Sequence, residues 1–430
     1  MLARTLSVRR VAVRDMVSRP TMNDADSAAA VPRPRRLTEV FTLREFRALW
    51  SAEVVSILGD QLARVAFSVL VYERTSSAAL SAAVYALTFL PALLGGALLG
   101  WVADRYPRRR VMIGSHLTRA ALVMPMAWPG LPLPVLCALI VVLVLAGSPH
   151  SAAQGALLPE ILRGDLLERG YAVRQVTGQL AQVAGFATGG ALLALLSPHA
   201  ALVMNAVTFV LSAAVLAYGV APRPAPAPAA GAVRSWSGDI AAGAHTVFAD
   251  PSRRTLAVVV WLAGTYIAPE GVAAPYAAQL GAGPVAVGLL LAAIPAGSVV
   301  GAIVFTRWVP QRTRERWMLP LAVAAGVPLM VSALAPSVAA ITVLWALSGA
   351  AVAAALIQAQ AGFVRRTPAE ARGRATGLAA AGLIGAQGLG LLAAGLLAEW
   401  SSPAVAVAVT AAVASAGLAA VAMSRPARAL

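Results

Sequence analysis

The chain has no lysine, so all 34 of its basic residues are arginine. It has one cysteine, Cys137, and four histidines, His116, His150, His199 and His245. A single cysteine cannot close an intrachain disulfide, and a cysteine-based metal site is excluded. The histidines are scattered without ligand spacing, so no metal is expected. No phosphate-binding Gly-Lys loop of the Walker A kind is present, which leaves an ATP-driven pump unsupported. No dense set of catalytic residues appears either, so neither enzyme activity nor a cofactor is implied. Charge is scarce, at 12% of residues, about half the share in ordinary soluble domains.

What the chain does have is apolar length. Of its 430 residues, 59% are hydrophobic. Apolar runs of about 20 residues recur along nearly the whole chain, each long enough to cross ~30 Å of hydrocarbon. Helices satisfy their own backbone groups in lipid, so the expected class is an all-α integral membrane protein. The net charge of +16 invites a nucleic-acid partner, and its distribution rejects one. The arginines fall in the N-terminal tail and in alternate loops, which is the positive-inside pattern. Attraction to anionic inner-leaflet lipid is a secondary effect of the same charges. The missing lysine and abundant alanine look like codon bias, not mechanism.

Residues 1–40 are polar and arginine-rich and are expected to form a disordered cytoplasmic tail. They contain no compact apolar core of the kind a secretory signal needs. Met16 and Met22 are alternative start positions. Thr42-Leu-Arg-Glu45 reads as a capping box opening the first helix. Six spans are expected near 48–72, 78–102, 110–129, 132–157, 168–196 and 200–221, which makes residues 41–221 an N-terminal six-helix bundle. A proline-rich stretch at 222–230 reads as a semi-rigid extended linker. Within the cytoplasmic linker region 222–252, Trp236, Ile240, Ala244, Val247 and Phe248 recur at helical spacing, with Ser237 or Asp239 as a cap. That segment reads as a helix lying on the inner surface. Six more spans are expected near 254–279, 285–308, 317–335, 337–363, 370–399 and 403–423, forming a second bundle over 253–424. The remaining 425–430 form a cytoplasmic tail, on the same side as the N-terminus.

Two internal matches relate the halves. Gly96 and Gly100 recur as Gly297 and Gly301, and Pro159…Arg163-Gly164 recurs as Pro368…Arg372-Gly373. Parallel halves around a midplane site are a transporter architecture.

The organising stretch is Gly96-Ala-Leu-Leu-Gly100-Trp-Val-Ala-Asp104-Arg105-Tyr-Pro107-Arg108-Arg109-Arg110. An apolar helix stops at an acid and arginines follow at once, as at a cytoplasmic exit. The glycines make a small-xxx-small face for close helix packing. This order resembles the loop 2–3 signature of the major facilitator superfamily, with Pro107 where many members carry glycine. Phe46-Arg47-Ala-Leu-Trp50…Gly59-Asp60 and Leu158-Pro159-Glu160 are similar to its exporter branch containing the enterobactin exporter and macrolide efflux proteins. The resemblance implies twelve transmembrane helices in two pseudo-symmetric six-helix bundles, rocking about a central cavity built from spans 1, 4, 5, 7, 8, 10 and 11. It also implies an inner latch. Asp104, beside Gly100 and Arg105, would approach the start of span 11 near Arg372, Arg374 and Thr376, where the helix dipole favours a carboxylate. Arg108 would pair with Glu160. The alternative is surface ion pairs worth ~0–1 kcal/mol each.

Charges also lie inside the expected spans, Arg119 near the inner end of span 3 among them. Asp60 is roughly 13 residues into span 1, about 20 Å deep at 1.5 Å per residue. Arg64 follows at i+4 on the same face. Ionisable groups at such depth are candidates for function. Asp60 would titrate or contact substrate while Arg64 holds it ionised; the alternative is a permanent structural pair. Glu53 is nearer the surface. Glu270 sits in Ala268-Pro269-Glu270-Gly271, where Pro269 removes a helix hydrogen bond. Broken helices often line transport sites; the alternative is a hydrated glutamate at the outer mouth. In span 5, Gly185-x-x-x-Gly189-Gly190 resembles a drug–proton antiporter signature, with Phe186 in place of its proline. Close packing by small residues is the alternative there. His150 reads as inner-end packing before proton relay.

The expected function is export of a small, largely apolar molecule across the cytoplasmic membrane, such as a drug, an antibiotic, a secondary metabolite or a siderophore. Protons are the expected coupling partner, by antiport, and the expected unit is a monomer. Uptake or uniport on the same fold, or a non-transporting receptor, are the alternatives.

Overall fold

The computed structural model describes residues 37–225 and 236–424. Of the tail expected to be disordered over residues 1–40, residues 37–40 instead join a 3-10 turn in which Val40 is buried. Residues 1–36, the tail 425–430 and the linker stretch 226–235 lie outside the described residues. So do the side chains of Trp236, Ser237, Asp239 and Ile240, and with them the expected cap of the linker helix.

Among the described residues the chain is helical, with no strand. A 3-10 turn, Leu37–Thr42, precedes α1 (Arg44–Thr75). The first half continues with α2 (Ala78–Leu87), α3 (Ala92–Leu99), α4 (Trp101–Arg105), α5 (Arg108–Met126), α6 (Leu133–Ile161), α7 (Asp165–Leu193) and α8 (Pro198–Gly219). The connecting helix is α9 (Trp236–Phe248). The second half comprises α10 (Pro251–Gly264), α11 (Ala268–Gly271), α12 (Ala273–Gln279), α13 (Pro284–Trp308), α14 (Gln311–Ala324), α15 (Gly326–Ser332), α16 (Val338–Arg366), α17 (Arg372–Trp400) and α18 (Pro403–Met423).

Eight of the described helices are long and apolar enough to cross a membrane, and a ninth crossing is a pair bent by 47° between Pro251–Gly271 and Ala273–Gln279. The other three expected spans fall on α5, α7 and the α14–α15 pair. Each carries arginines in its first turns, or polar residues along one face, that lower its mean hydropathy. The arrangement is compatible with twelve spans.

The two ends of the molecule differ in chemistry. One end carries the loops of Arg105–Arg110, Arg163, Arg312–Arg316 and Arg365–Arg374. At the opposite end the turns at 76–77, 127–132, 194–197, 280–283, 333–337 and 401–402 are arginine-free, and Arg74, in the last turn of α1, reaches them by donating to the Leu131 carbonyl at 3.0 Å. Four helices start there on a serine whose hydroxyl accepts a backbone N–H three residues on: Ser77 from Leu80, Ser197 from Ala200, Ser337 from Ala340 and Ser402 from Val405. Each cap satisfies a helix-end donor. Gly130 and Gly281 take positive φ in two of these turns (89° and 65°), a conformation open to glycine without Cβ strain.

The capping box expected at Thr42 to Glu45 does not form. Leu43 occupies the cap position, and the Thr42 hydroxyl donates to the Glu39 carbonyl at 2.7 Å. Glu45 instead accepts from the Ala221 N–H and from Arg223 Nη2, each at 2.7 Å. A long-range cation and a free backbone donor outcompete the local bond, and they fasten the chain after α8 to the start of α1.

In the first half α1 packs on α7 and α8, and α5 on α6 and α8; in the second, α13 packs on α16. The halves meet chiefly along two helix pairs, α2 with α17 and α7 with α13, while α2 also touches α11 and α12, and α1 touches α12 and α13. Glycine permits the closest approach. A Cβ on Gly297 would lie 2.7 Å from Ala346 Cα, nearer than real Cβ atoms come. In the first half the corresponding contact shifts by one residue. Gly95 faces Ser148 of α6, whereas Gly96 faces open space and Gly100 stands at the join of α3 and α4. The Gly96/Gly100 face is therefore not the packing face expected from spacing alone.

Candidate transport path

Asp60 of α1 is held by Arg119 of α5. Arg119 Nη2 donates to both carboxylate oxygens, at 2.9 and 3.0 Å. The guanidinium also lies 4.0 Å above the Phe209 ring of α8, a favourable cation–π position. This corrects the expected Asp60–Arg64 pair. The two do share a helical face, but the short Asp60 side chain is reached by the arginine of the neighbouring helix. Arg64 donates to Gln61 Oε1 at 3.3 Å and covers the Phe89 ring at 4.3 Å.

Around this pair is a partly satisfied polar cluster. The His116 and His150 rings stand 4.4 Å apart, and neither nitrogen of the buried His116 has a protein partner. The Asn205 side-chain N–H2 is likewise buried without one. Unpaired polar atoms in a core are costly unless water or a ligand reaches them. A cavity of about 580 Å³ does adjoin the cluster, lined by Asp60, Arg64, Arg119, Ser148, His150 and Asn205.

Glu270 is 2% exposed. It is not the hydrated group at an open mouth that the sequence allowed. Tyr85 of α2 donates its hydroxyl to Glu270 Oε2 at 2.7 Å, so this bond joins the two halves of the chain. Pro269 and the bend after Gly271 aim the carboxylate inward, because the helix cannot continue straight through them.

Further contacts seal the arginine-free end. Glu399 Oε2 of α17 accepts from Ser77 Oγ at 2.9 Å and from the Ala79 N–H at 3.0 Å. Gly190 and Gly288 bring the α7 and α13 backbones together: a Cβ on Gly190 would stand 2.7 Å from Gly288 Cα. The other glycines of that motif pack on α1, with a Gly185 Cβ meeting Gln61 Cβ at 2.8 Å and a Gly189 Cβ meeting Leu62 Cα at 3.2 Å.

Among the described residues no carboxylate caps a helix of the other half at the arginine-rich end. Asp104, Arg105, Arg372 and Arg374 are exposed, and Asp104 has no hydrogen bond or ion pair among the described residues. Arg108 pairs with Glu160 and also donates to the Ala156 carbonyl at 3.0 Å, both within the first half. Helix α9 packs on α17, where a Gly243 Cβ would approach the Arg374 carbonyl at 3.0 Å. The conformer is thus shut at one end and open at the other.

The sequence profile of the Major Facilitator Superfamily matches residues 49–269 and again 255–429. The chain belongs to the major facilitator superfamily. It is an integral membrane protein of that fold. This facilitator is 29% identical over 363 residues to the multidrug efflux pump Tap of Mycobacterium tuberculosis (strain ATCC 25618 / H37Rv), covering 81% of this chain and 85% of that one. It is 27% identical over 129 residues to macrolide efflux protein A of Streptococcus pyogenes, covering 29% and 32% of the two chains. Among solved structures, a bacterial homologue of the human lysosomal transporter Spinster, captured inward-facing and occupied, superposes with a TM-score of 0.65 at 15% identity. It covers 88% of this chain and 94% of that one. The nucleoside transporter NupG gives a TM-score of 0.66 at 16% identity, covering 88% of this chain and 100% of that one.

Several residues of this facilitator's path escaped a reading of spacing. Arg119 was visible as a charge near the inner end of a span, but nothing local tied it to Asp60, 59 residues away. Tyr85 and Glu270 are 185 residues apart, and Ser77 and Glu399 are 322 apart. For Glu270 and Glu399 the one signal available was an acid with no cation within one turn of its own helix, while for Asp60 the nearby Arg64 pointed to the wrong partner.

Proposed function

We propose that this facilitator exports small molecules across the cytoplasmic membrane by proton antiport, as a monomer whose two six-helix halves rock about a central path. The observation that carries this reading is Glu270. It is a buried carboxylate in a broken span, bonded across the halves to Tyr85. A group so placed can bind a proton in one conformer and release it in the other, because the rocking that opens that end removes its partner. The names of the relatives, multidrug and macrolide efflux pumps, favour drug-like cargo and outward movement.

Orientation follows from the arginines. Their loops belong in the cytoplasm by the positive-inside rule, as do both termini, and the open end then faces the cytoplasm. In this conformer the cargo would load from inside. Asp60 with Arg119 forms the second charged element of the path, beside Arg64. Closing the inner end would bring Asp104 to the start of α17, near Arg372 and Arg374, with the Arg108–Glu160 pair fixing its loop. The test is net flux in inverted membrane vesicles, with and without a protonophore, for wild type and Glu270→Gln. Accumulation that the protonophore abolishes and the variant loses is expected. Accumulation indifferent to both would sink proton antiport.

A further inference from the structure

A second cavity, of about 410 Å³, lies between α1 and α7. It is walled by amides. Gln175, Gln179 and Gln182 line it from α7, and Gln61 from α1. The α7 three recur at i, i+4 and i+7, so they share one helical face. None of the three side chains has a hydrogen-bond partner in the protein among the described residues. A stripe of unpaired amides is costly against lipid and marks a water or ligand path. Each amide offers two donors and an acceptor.

Charge in this cavity is nearly cancelled. Arg174 meets Glu53 through two bonds, Nε to Oε2 at 2.6 Å and Nη2 to Oε1 at 2.7 Å. Asp60, in the adjoining cavity, is occupied by Arg119. Arg64 lines both cavities and has no carboxylate in ion-pair range among the described residues. The wall therefore carries four amides, one closed ion pair and one guanidinium with no carboxylate in ion-pair range, beside Tyr171 and Ile57. The second half offers the opposite chemistry. A cavity of about 290 Å³ between α10, α16 and α17 is lined mainly by apolar side chains such as Val260, Phe363 and Leu383, with Gln360 and Thr376 as its polar members.

Given the transport reading above, we infer that the cargo is an amphipathic molecule without net positive charge, whose hydroxyl- or sugar-bearing face seats on the α7 glutamines while its apolar body lies against α10, α16 and α17. A purely apolar molecule would leave the amides unpaired, and a cation seated on them would meet the Arg64 guanidinium, because the Glu53 and Asp60 carboxylates are already held by arginines and Glu270 is bonded to Tyr85.

The probes are a flavanone, naringenin, its glycoside naringin, and the cation tetraphenylphosphonium. Their affinities for the purified full-length chain are read by tryptophan fluorescence. Naringin is expected to bind about tenfold tighter than naringenin, the equivalent of roughly one to two net hydrogen bonds, and tetraphenylphosphonium weakest. Gln175→Leu/Gln179→Leu/Gln182→Leu is expected to reverse the order of glycoside and aglycone, and the single Gln179→Leu to narrow it. Equal wild-type affinities, preference for the aglycone or the cation, or an order that survives the triple substitution would overturn the inference. Discrimination by the wild type with no flux in vesicles would sink the transport reading and leave the glutamine face standing as a binding site. Flux without discrimination would do the reverse.

Discussion

The carboxylate of Glu399, at the last turn of α17, caps the first turn of α2 by accepting from Ser77 Oγ and the Ala79 N–H. The same two chain regions are paired again in the proposed inner latch with the roles exchanged. There Asp104, in α4 at the far end of the same broken span, would cap the first turn of α17. One helix pair would thus be clasped at either end by a carboxylate on a helix N-terminus, and rocking would trade one clasp for the other.

Loss of Glu399 should therefore favour opening at the arginine-free end. A carboxylate at an exposed helix terminus contributes modestly, so Glu399→Ala is expected to shift the equilibrium about two- to five-fold. Spin labels at Leu195→Cys and Leu334→Cys, both strongly exposed in turns of that end, would report it in a Cys137→Ala background. Distance distributions identical to those of the parent would remove Glu399 from the mechanism.

Tyr85 and Glu270 make a sharper pair of predictions. Tyr85→Phe leaves a buried carboxylate without its donor, at a cost of about 1–3 kcal/mol, and should lower the melting temperature. Glu270→Gln keeps an acceptor for the hydroxyl and should melt near wild type while transport loses its dependence on the pH gradient. A Tyr85→Phe protein as stable and as pH-dependent as wild type would show the bond to be incidental.

Arg119 and Asp60 should behave as a unit. Removing one partner of a fully buried ion pair costs about 3–5 kcal/mol. Here the side chains are 14% and 28% exposed, so the cost should fall below that range. Arg119→Ala and Asp60→Asn are each expected to destabilise, and the double variant to recover part of the loss, with a coupling of ~1 kcal/mol or more. A cycle between Asp60 and Arg64 should show weaker coupling. Equal coupling in both cycles would contradict the geometry.

The fold was legible because hydrocarbon imposes one rule on every span. Apolar length and arginine placement locate helices and ends without knowledge of contacts. The signature glycines were legible in part. Spacing found the α13 glycines that touch α16, yet chose Gly96 where Gly95 makes the contact, since a one-residue rotation is invisible in composition. Single charges such as Asp60 and Glu270 stood out because acids are rare in spans. Their partners did not, because Arg119 and Tyr85 come from other helices and depend on how the bundle closes. The α7 glutamines were passed over because an uncharged residue carries no comparable signal.

Asp104 offers a test that the present conformer leaves open. Asp104→Asn retains size and a hydrogen-bond acceptor but removes the charge that favours a helix N-terminus. Transport is expected to fall while the amount of protein in the membrane stays constant. The distance between labels at the arginine-rich end should shift toward the open form. Full transport by Asp104→Asn would reduce the arginine-flanked acid to an ordinary topogenic loop.

Gly190 and Gly288 supply a steric lever on the same equilibrium. Their backbones touch where α7 crosses α13, and a Cβ on Gly288 would stand 2.6 Å from Gly190 Cα. No side chain beyond hydrogen fits there without parting the helices, and α7–α13 is one of the two seams joining the halves at the arginine-free end. Gly190 lies in the last turn of α7 and Gly288 in the second turn of α13, neither at positive φ, so a larger residue strains the seam and not its own backbone. Gly190→Leu should thus hold that end apart while each half keeps its fold. The expected readout is a longer Leu195–Leu334 label distance, loss of cycling, and secondary structure equal to wild type. Glycine-to-alanine at the same site should give an intermediate distance. If Gly190→Leu cycles at the wild-type rate with the end still shut, the seam is not where the two halves part.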